Sequence, residues 1–427
     1  MSGYVVILRL VVGWVKRRRG LTFAPNFSMI PYSLARLGNQ QQGAMAIMEQ
    51  TASLYRAAAL AAALCLLTAY PARADHAASS PAEGQFESAA VCKECHEDIY
   101  KNWRGSLHAL ALTNPIFQTA YQRAYTQTGG EAKKYCLRCH APTVTLTGDY
   151  DARQLLTREG VTCDFCHAVT KIDLGAKDHV FTVAPGKIKR SSLKNAVSPH
   201  HETRHSDDFA SSKLCAGCHA FVNRHGVQVG NTFAEWQKSG YAKEGRQCQS
   251  CHMAVIPGKT ANEGRRDKMH DHSLAHNLAT MSEAVSLNIK KAAKSGKIMA
   301  VDVEVVNVKA GHSIPTGTPR RKLVVEARSQ DTHGNVIETK KVEYRKLVVT
   351  AEGEEISSDG DVFLHGAKIQ QDNRLAPGER RIEKITFARR LDDVVSVAVD
   401  AYFLYEPEVV QQVEMRIPFA GAQATVR

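Results

Sequence analysis

The sequence predicts a mainly α-helical, loop-rich region that is followed by an all-β, immunoglobulin-like sandwich. Between residues 92 and 252, ten cysteines occur in closely spaced pairs among short helical and loop segments. After Lys297 cysteine is absent, and apolar residues alternate with polar ones, as in residues 301–305 and 395–403. That alternation is the period of half-buried strands, and several strands at this spacing predict a sandwich. A chain of 427 residues is long enough for two or three domains.

Residues 1–74 are predicted to be an upstream extension and a cleaved export signal. An apolar run over residues 57–70 follows Arg56 and leads into the small-residue pattern Ala72-Arg73-Ala74. This arrangement is typical of a secretory signal peptide, and the run is too short for a stable membrane span. We therefore expect a periplasmic protein that is cleaved after Ala74.

The net charge of +12 is concentrated near the amino end. The 353 residues after Ala74 contain 47 Lys and Arg against 42 Asp and Glu. Nucleic acid is therefore not the expected partner, because the remaining charge is too small for a strong phosphate-binding surface.

Five CxxCH motifs are the strongest signal in the sequence. The motifs are Cys92-x-x-Cys95-His96, Cys136-x-x-Cys139-His140, Cys163-x-x-Cys166-His167, Cys215-x-x-Cys218-His219 and Cys248-x-x-Cys251-His252. Two thiols three positions apart can form thioethers with the two vinyl groups of one porphyrin, and the following imidazole then faces the iron. The motifs therefore predict five covalently attached haems c.

Three other interpretations of the cysteines remain open. Exported chains often form structural disulfides, but disulfides do not explain a histidine after every pair. Zinc sites usually combine two CxxC pairs, and five pairs is an odd number. A redox CxxC motif normally occurs once, next to a βαβ pattern, which is lacking here.

The spacing of the motifs predicts close packing of the haems. Five motifs fall within residues 92–252, and so short a segment for each haem cannot enclose a porphyrin. The haems would form much of the core, and their propionates would offset the positive charge of the polypeptide.

Candidate distal ligands are histidines outside the motifs. His108 lies on a predicted helix after the first motif, and His225 follows the fourth. In the cluster of His200, His201 and His205, a helical spacing of four favours His205. Further candidates are His272, among His270, His272 and His276, and His312, within the turn 311–317. A non-haem metal on His272 and His276 is a minor alternative.

The predicted organisation follows these patterns along the chain. Residues 75–280 form the haem region, residues 281–296 a connecting helix, and residues 297–427 the sandwich. Helices are predicted over 98–111, 116–126 and 233–241. Further strands are predicted over 322–328, 336–349, 382–387 and 410–417.

The haem region resembles the multihaem cytochrome c-554 type, also called the c-552/4 family, within the hydroxylamine-oxidoreductase-like cytochromes. The resemblance rests on the first motif running into Trp103, Ser106 and His108, and on residues 236–253, which run into the fifth motif. It implies periplasmic electron transfer through haem c, with His108 as a distal ligand. The chain departs from the tetrahaem pattern by having a fifth motif.

Two functions follow from these observations. The leading hypothesis is an electron carrier between redox proteins, because the spare histidines suffice to close every iron. The alternative is an oxidoreductase that acts on a small nitrogen or sulfur compound at one five-coordinate haem. No catalytic residue can be assigned from the sequence, and whether the protein is an enzyme stays open.

Overall fold

Short helices separated by loops and small sheets make up the first part of the structure. The computed structural model describes residues 84–176, 180–274, 281–405 and 415–426, all within one compact unit of residues 78–427. The helices of this part are α1 (Ala89–Lys93), α2 (Glu97–Arg104), α3 (Pro115–Gln127), α4 (Ala132–His140), α5 (Val144–Thr147), α6 (Leu155–Arg158), α7 (Cys163–His167), α8 (Lys213–His219), α9 (Thr232–Gln237), α10 (Gly240–Lys243) and α11 (Cys248–His252).

Capping residues explain where several of these helices begin and end. Asn114 caps α3 by accepting a hydrogen bond from the backbone of Ile116, and Pro115 occupies the first turn, where it loses no helical hydrogen bond. The helix predicted over 98–111 ends early, at Arg104. The helix predicted over 233–241 is divided, because Ser239 caps the separate helix α10.

The first part also contains six short strands that the sequence did not predict. The strands are β1 (Val169–Ile172), β2 (Phe181–Val183), β3 (Ile188–Ser191), β4 (Glu202–His205), β5 (Val255–Pro257) and β6 (Lys268–His270). They form two-stranded pairs, of which β3 and β4 are parallel. The sequence predicts mainly helices and loops for this region, and that prediction is therefore confirmed only in part.

The carboxyl-terminal part is built from antiparallel strands. These are β7 (Val285–Ser295), β8 (Ile298–Asn307), β9 (Lys322–Gln330), β10 (Val336–Tyr344), β11 (Lys346–Val349), β12 (Lys368–Asp372), β13 (Arg380–Phe387), β14 (Ser396–Tyr405) and β15 (Met415–Thr425), with helix α12 (Asp359–His365) between β11 and β12. One sheet has the order β13-β8-β7, a second has β10-β9-β14-β15, and β11 pairs with β12. The prediction of a β-rich carboxyl-terminal part is confirmed.

Apolar side chains from both larger sheets share one core. Val301, Val303 and Val305 of β8 are fully buried, and so are Val397 and Val399 of β14. Because side chains alternate between the faces of a strand, every second residue enters this core. Among the described residues, no helix is both long and apolar enough to cross a membrane.

The prediction of a connecting helix over residues 281–296 is wrong. Strand β7 occupies Val285–Ser295 and pairs with β8 along its length. Ser295 pairs with Ile298, so Gly296 and Lys297 form a two-residue turn in which Gly296 has a φ of +58°. A glycine in this conformation suits a hairpin as well as a helix end, and here it makes the hairpin.

The other strand predictions are met with different boundaries. Residues 322–328 and 382–387 lie in β9 and β13, whereas 336–349 divides at Arg345 into β10 and β11. Part of the strand predicted over 410–417 and all of the predicted signal peptide lie outside the described residues.

Candidate haem-binding sites

Four of the five CxxCH motifs lie within short helices, and the first continues from helix α1 into the turn before α2. The third and fifth motifs coincide with α7 and α11, and the second and fourth end helices α4 and α8. One helical turn places residues i and i+3 on the same side, so the two thiols of each pair can reach one porphyrin. All ten cysteines of the motifs are free thiols in the structure.

Three motif histidines are oriented by backbone carbonyl groups. The Nδ1 atom of His96 lies 2.5 Å from the oxygen of Thr260, that of His140 lies 2.9 Å from the oxygen of Ala111, and that of His167 lies 2.5 Å from the oxygen of Arg190. If Nδ1 donates its proton to the carbonyl, the lone pair is on Nε2. This is the orientation by second partners that metal-binding histidines show in proteins.

Three motif histidines face a histidine that lies outside any motif. The ring centroids are 6.2 Å apart for His96 and His201, 6.1 Å for His219 and His108, and 6.3 Å for His252 and His312. Two imidazoles on opposite sides of one metal ion, each bound at about 2.0 Å, have ring centres about 6 Å apart. The three pairs therefore fit one iron between each pair of rings.

His272 lies near the third motif histidine, His167. The pKa of His167 is lowered to about 4, chiefly by burial and in smaller part by the nearby His272. Burial also lowers the pKa of His272, whose Nδ1 lies 2.8 Å from the backbone oxygen of His270. Both imidazoles are consequently neutral at neutral pH, which is the form that binds a metal ion.

Two predicted ligands lie elsewhere. His205 uses both ring nitrogens, with Nδ1 3.1 Å from the oxygen of Ser192 and Nε2 3.0 Å from Oδ1 of Asp207. The Nε2 atom of His225 lies 2.6 Å from the backbone oxygen of Leu364. Within the first cluster it is His201 whose ring faces a motif histidine, and His225 is bonded to helix α12. His276 lies outside the described residues.

The second motif histidine, His140, has a different neighbour. Its ring stacks on the ring of Phe117 with centroids 3.7 Å apart, as the ring of His167 stacks on Phe209 at 5.4 Å, whereas the rings of His96, His219 and His252 face second imidazoles. Burial lowers the pKa of His140 to about 4, so this ring is also neutral at neutral pH.

Contacts between cysteines connect the five motifs. Thiols of the first and third motifs interact through Cys92 and Cys163. The second and fourth interact through Cys139 and Cys218. The fourth and fifth interact through Cys215 and Cys248.

The third motif also approaches the fourth. The pKa of Cys218 is raised first by its hydrogen bond with Cys139 and by burial, and Cys166 raises it further. The fourth motif therefore lies next to the second, third and fifth motifs.

A buried arginine fits the carboxylates of a haem. Arg190 is 8% exposed, and its Nη1 atom has no hydrogen-bond partner. Its pKa is lowered by burial and then by Arg204, its neighbour across the β3–β4 pair. A buried cation without a partner is unfavourable, and a haem propionate near His167 would supply the missing anion. The ligand pairs and this guanidinium together fit covalently bound haem.

Comparisons with known proteins agree with this arrangement. The profile of the family described as Cytochrome c554 and c-prime matches residues 91–168, which include the first three motifs. A penta-heme cytochrome c552 from Thermochromatium tepidum matches with a TM-score of 0.65 and 21% identity, covering 81% of this chain and 100% of that chain. The resemblance to multihaem c-type cytochromes is confirmed. The structural match, at 21% identity, shows a shared fold.

The remaining comparisons add nothing to the fold. A β-glucosidase from Kluyveromyces marxianus, solved in complex with glucose, matches with 11% identity over 34% of this chain and 14% of that chain. Its TM-score of 0.16 is too low to carry an argument. The search of curated proteins gives no match.

Proposed function

We propose that this chain is a periplasmic pentahaem c-type cytochrome that carries electrons between redox proteins. The proposal rests on three pairs of facing imidazoles, with centroids 6.1–6.3 Å apart, and on the interactions between cysteines that join the five motifs into one group. Haem iron accepts and donates single electrons when the cofactor is bound. Because the polypeptide holds every motif next to another, it supplies the short separations that transfer between haems requires.

The proposed ligands of four irons are the histidine pairs. These pairs are His96 with His201, His167 with His272, His219 with His108, and His252 with His312. Two imidazoles per iron keep the metal low-spin and closed to other ligands, which suits an electron carrier. The lowered pKa values of His167 and His272 keep both rings neutral, so this pair requires no proton release on binding, and backbone hydrogen bonds fix the orientation of His96, His167 and His272.

The proposed path is branched, because the fourth motif lies next to three others. The first motif connects to the fourth through the third, whereas the second and fifth each contact the fourth directly. The fourth haem would therefore receive or distribute electrons among three branches, and partner proteins could dock at more than one end.

Two finer assignments complete the proposal. The sheets β13-β8-β7 and β10-β9-β14-β15 share a core, which supports an immunoglobulin-like sandwich. The signal sequence predicted at residues 57–74 supports export and haem attachment in the periplasm. Amino-terminal sequencing of the exported protein tests the second assignment, and a mature chain that retains residues 57–74 would contradict it.

Mass spectrometry of the native protein tests the number of haems. The expected mass is that of the processed polypeptide plus five haems. The Cys248→Ser/Cys251→Ser double variant should carry one haem fewer, whereas Ser250→Ala, which lies between the two cysteines, should keep all five. A wild-type protein that carries no covalent haem would overturn the proposed function.

A second candidate function is supported at the second motif. The ring of His140 stacks on Phe117, and the imidazole that acts on its pKa, His219, already faces His108, which favours a five-coordinate iron that could bind a small nitrogen or sulfur compound. Addition of carbon monoxide to the reduced protein tests this function. A spectral change in one haem that disappears when the second motif is removed would support it, and an unchanged spectrum would exclude it.

A further inference from the structure

A buried ion pair connects the haem region to the β-rich part beside the fifth motif. Glu235 lies on helix α9 and Arg374 follows strand β12. Glu235 is only 7% exposed and Arg374 only 8%. Oε1 of Glu235 lies 2.7 Å from Nη1 of Arg374. Arg374 also pairs with Asp372, whose Oδ1 lies 2.7 Å from Nε. The guanidinium is thus held between a carboxylate of each part.

Both members of this pair bind the turn that carries His312. The second oxygen of Glu235, Oε2, accepts hydrogen bonds from the backbone nitrogen of Ser313 at 3.1 Å and from Oγ1 of Thr316 at 2.9 Å. Arg374 donates from Nη1 to the backbone oxygen of Pro315 at 3.1 Å. The residues that follow His312 are therefore fastened from two sides.

The backbone of His312 itself is fixed as well. The side chain of Asn307, at the end of β8, donates to the backbone oxygen of His312 at 2.9 Å. His312 itself faces His252 of the fifth motif, with the two rings inclined by 18°. The contacts of Glu235, Arg374 and Asn307 thus fix the backbone on both sides of the His312 imidazole.

Energetics argue against a role of this pair in stability alone. Removing a carboxylate and a guanidinium from water is costly, and a buried ion pair seldom stabilises a fold more than apolar residues of the same volume would. Such pairs are better suited to specifying one arrangement. Here both charged groups form hydrogen bonds with one turn, so the arrangement that they specify is the position of that turn.

We propose that Glu235 and Arg374 are positioning residues for the distal ligand of the fifth haem. This inference rests on the proposed ligation of that iron by His252 and His312. It makes the β-rich part a determinant of the spin state and reduction potential of one haem, because Arg374 belongs to that part. Without the pair, the turn would move and His312 would leave the iron in a fraction of the molecules.

Variants of Arg374 in the five-haem protein test the inference. We expect Arg374→Gln to keep all five haems by mass but to show a high-spin ferric signal in paramagnetic resonance and a carbon monoxide-induced spectral change beyond wild type. Arg374→Lys should restore part of the low-spin population. The matched control is Arg345→Gln, which removes an ion pair with Glu355 that does not contact the turn, and it should match wild type.

Three further variants separate the possible failures. His312→Ala should open one iron completely, and an unchanged spectrum in that variant would refute the proposed ligation. If His312→Ala opens the iron but Arg374→Gln and Glu235→Gln retain the wild-type spectrum, the ligation stands and the positioning role is overturned. If neither charge variant folds, Thr316→Val, which removes one hydroxyl bond to Glu235, decides. A raised high-spin fraction supports the role, and a wild-type spectrum overturns it.

Discussion

The imidazole ring of His201 faces that of His96, with centroids 6.2 Å apart, although His201 lies more than one hundred residues after the first motif. His205, four residues later, instead places its Nε2 atom 3.0 Å from Oδ1 of Asp207. The two histidines therefore form a matched pair for testing the distal ligand of the first haem.

We predict that His201→Ala opens one iron and that His205→Ala opens none. Loss of the His201 imidazole removes one of two axial ligands, and a five-coordinate ferric haem becomes high-spin. About one fifth of the iron should give a high-spin resonance in His201→Ala. The reverse result, with the high-spin signal only in His205→Ala, would restore the ligand that the sequence favoured.

The choice between these histidines shows what the sequence could and could not predict. A spacing of four favoured His205 on the assumption of a helix, but Glu202–His205 is strand β4, paired in parallel with β3. Strand β4 depends on its parallel pairing with β3, which the residues around His205 do not themselves indicate. His225 is similar, because its contact with Leu364 spans 139 positions.

Patterns fixed by covalent chemistry or by a regular period were predictable. The CxxCH spacing identifies the motifs without any tertiary information, and the alternation in β8 and β14 follows from the burial of one face. Within β7, Val285, Leu287 and Ile289 alternate with polar residues, but the lysines toward the end of the segment favour the carboxyl end of a helix. Its identity depends on pairing with β8, which the sequence alone does not show.

Arg190 provides a second prediction. If a haem propionate pairs with its buried guanidinium, Arg190→Gln removes a positive charge near one iron and favours the oxidised state. The reduction potential of one haem should therefore fall, as measured by spectroscopic redox titration. Arg204→Gln is the control, since Arg204 is the exposed neighbour in the register of β3 and β4, and its effect should be smaller.

The unfolding temperature of Arg190→Gln distinguishes a guanidinium that is paired with a propionate from one that is unpaired. An unpaired buried cation destabilises the fold, so without an anion nearby Arg190→Gln would raise the unfolding temperature. We expect it to fall instead, together with the potential. A higher unfolding temperature and an unchanged potential would count against the propionate pair.

Gly217, within the fourth motif, has no room for a side chain. A Cβ atom there would overlap the ring of Phe181 on β2, which also packs edge-on against Phe165 with ring centroids 5.5 Å apart. We predict that Gly217→Ala lowers the free energy of unfolding by about 1–3 kcal/mol, the usual range for overpacking. Thermal unfolding measures the difference.

Gly240 is the matched control for this substitution. It lies in helix α10, and a Cβ atom there would meet its nearest atom, an oxygen of Glu244, only at 4.0 Å. Alanine favours a helix over glycine by up to about 1 kcal/mol, so Gly240→Ala should leave stability unchanged or raise it. Equal effects of both substitutions would exclude steric overlap at Gly217 as the cause.

Lys346 is a buried lysine near Arg374. Its titration should make the free energy of unfolding depend on pH. Its residue is 2% exposed, and Nζ lies 3.1 Å from the backbone oxygen of Val229 and 2.7 Å from Oδ1 of Asn231. Burial, and then the charge of Arg374, lower the pKa of Lys346 from 10.5 to about 8, while Asp372 and Glu235 act in the opposite direction.

The sign of the pH effect follows from this lowered pKa. Between pH 8 and pH 10.5 the unfolded chain keeps the proton that the folded chain has released, so the free energy of unfolding rises with pH in that window. The full rise from this group is at most about 3 kcal/mol. Urea midpoints followed by circular dichroism should therefore increase across the window in wild type relative to Lys346→Met, which has no proton to release. Parallel pH profiles for the two proteins would show that Lys346 titrates near its ordinary value, and a falling difference would reverse the assigned direction.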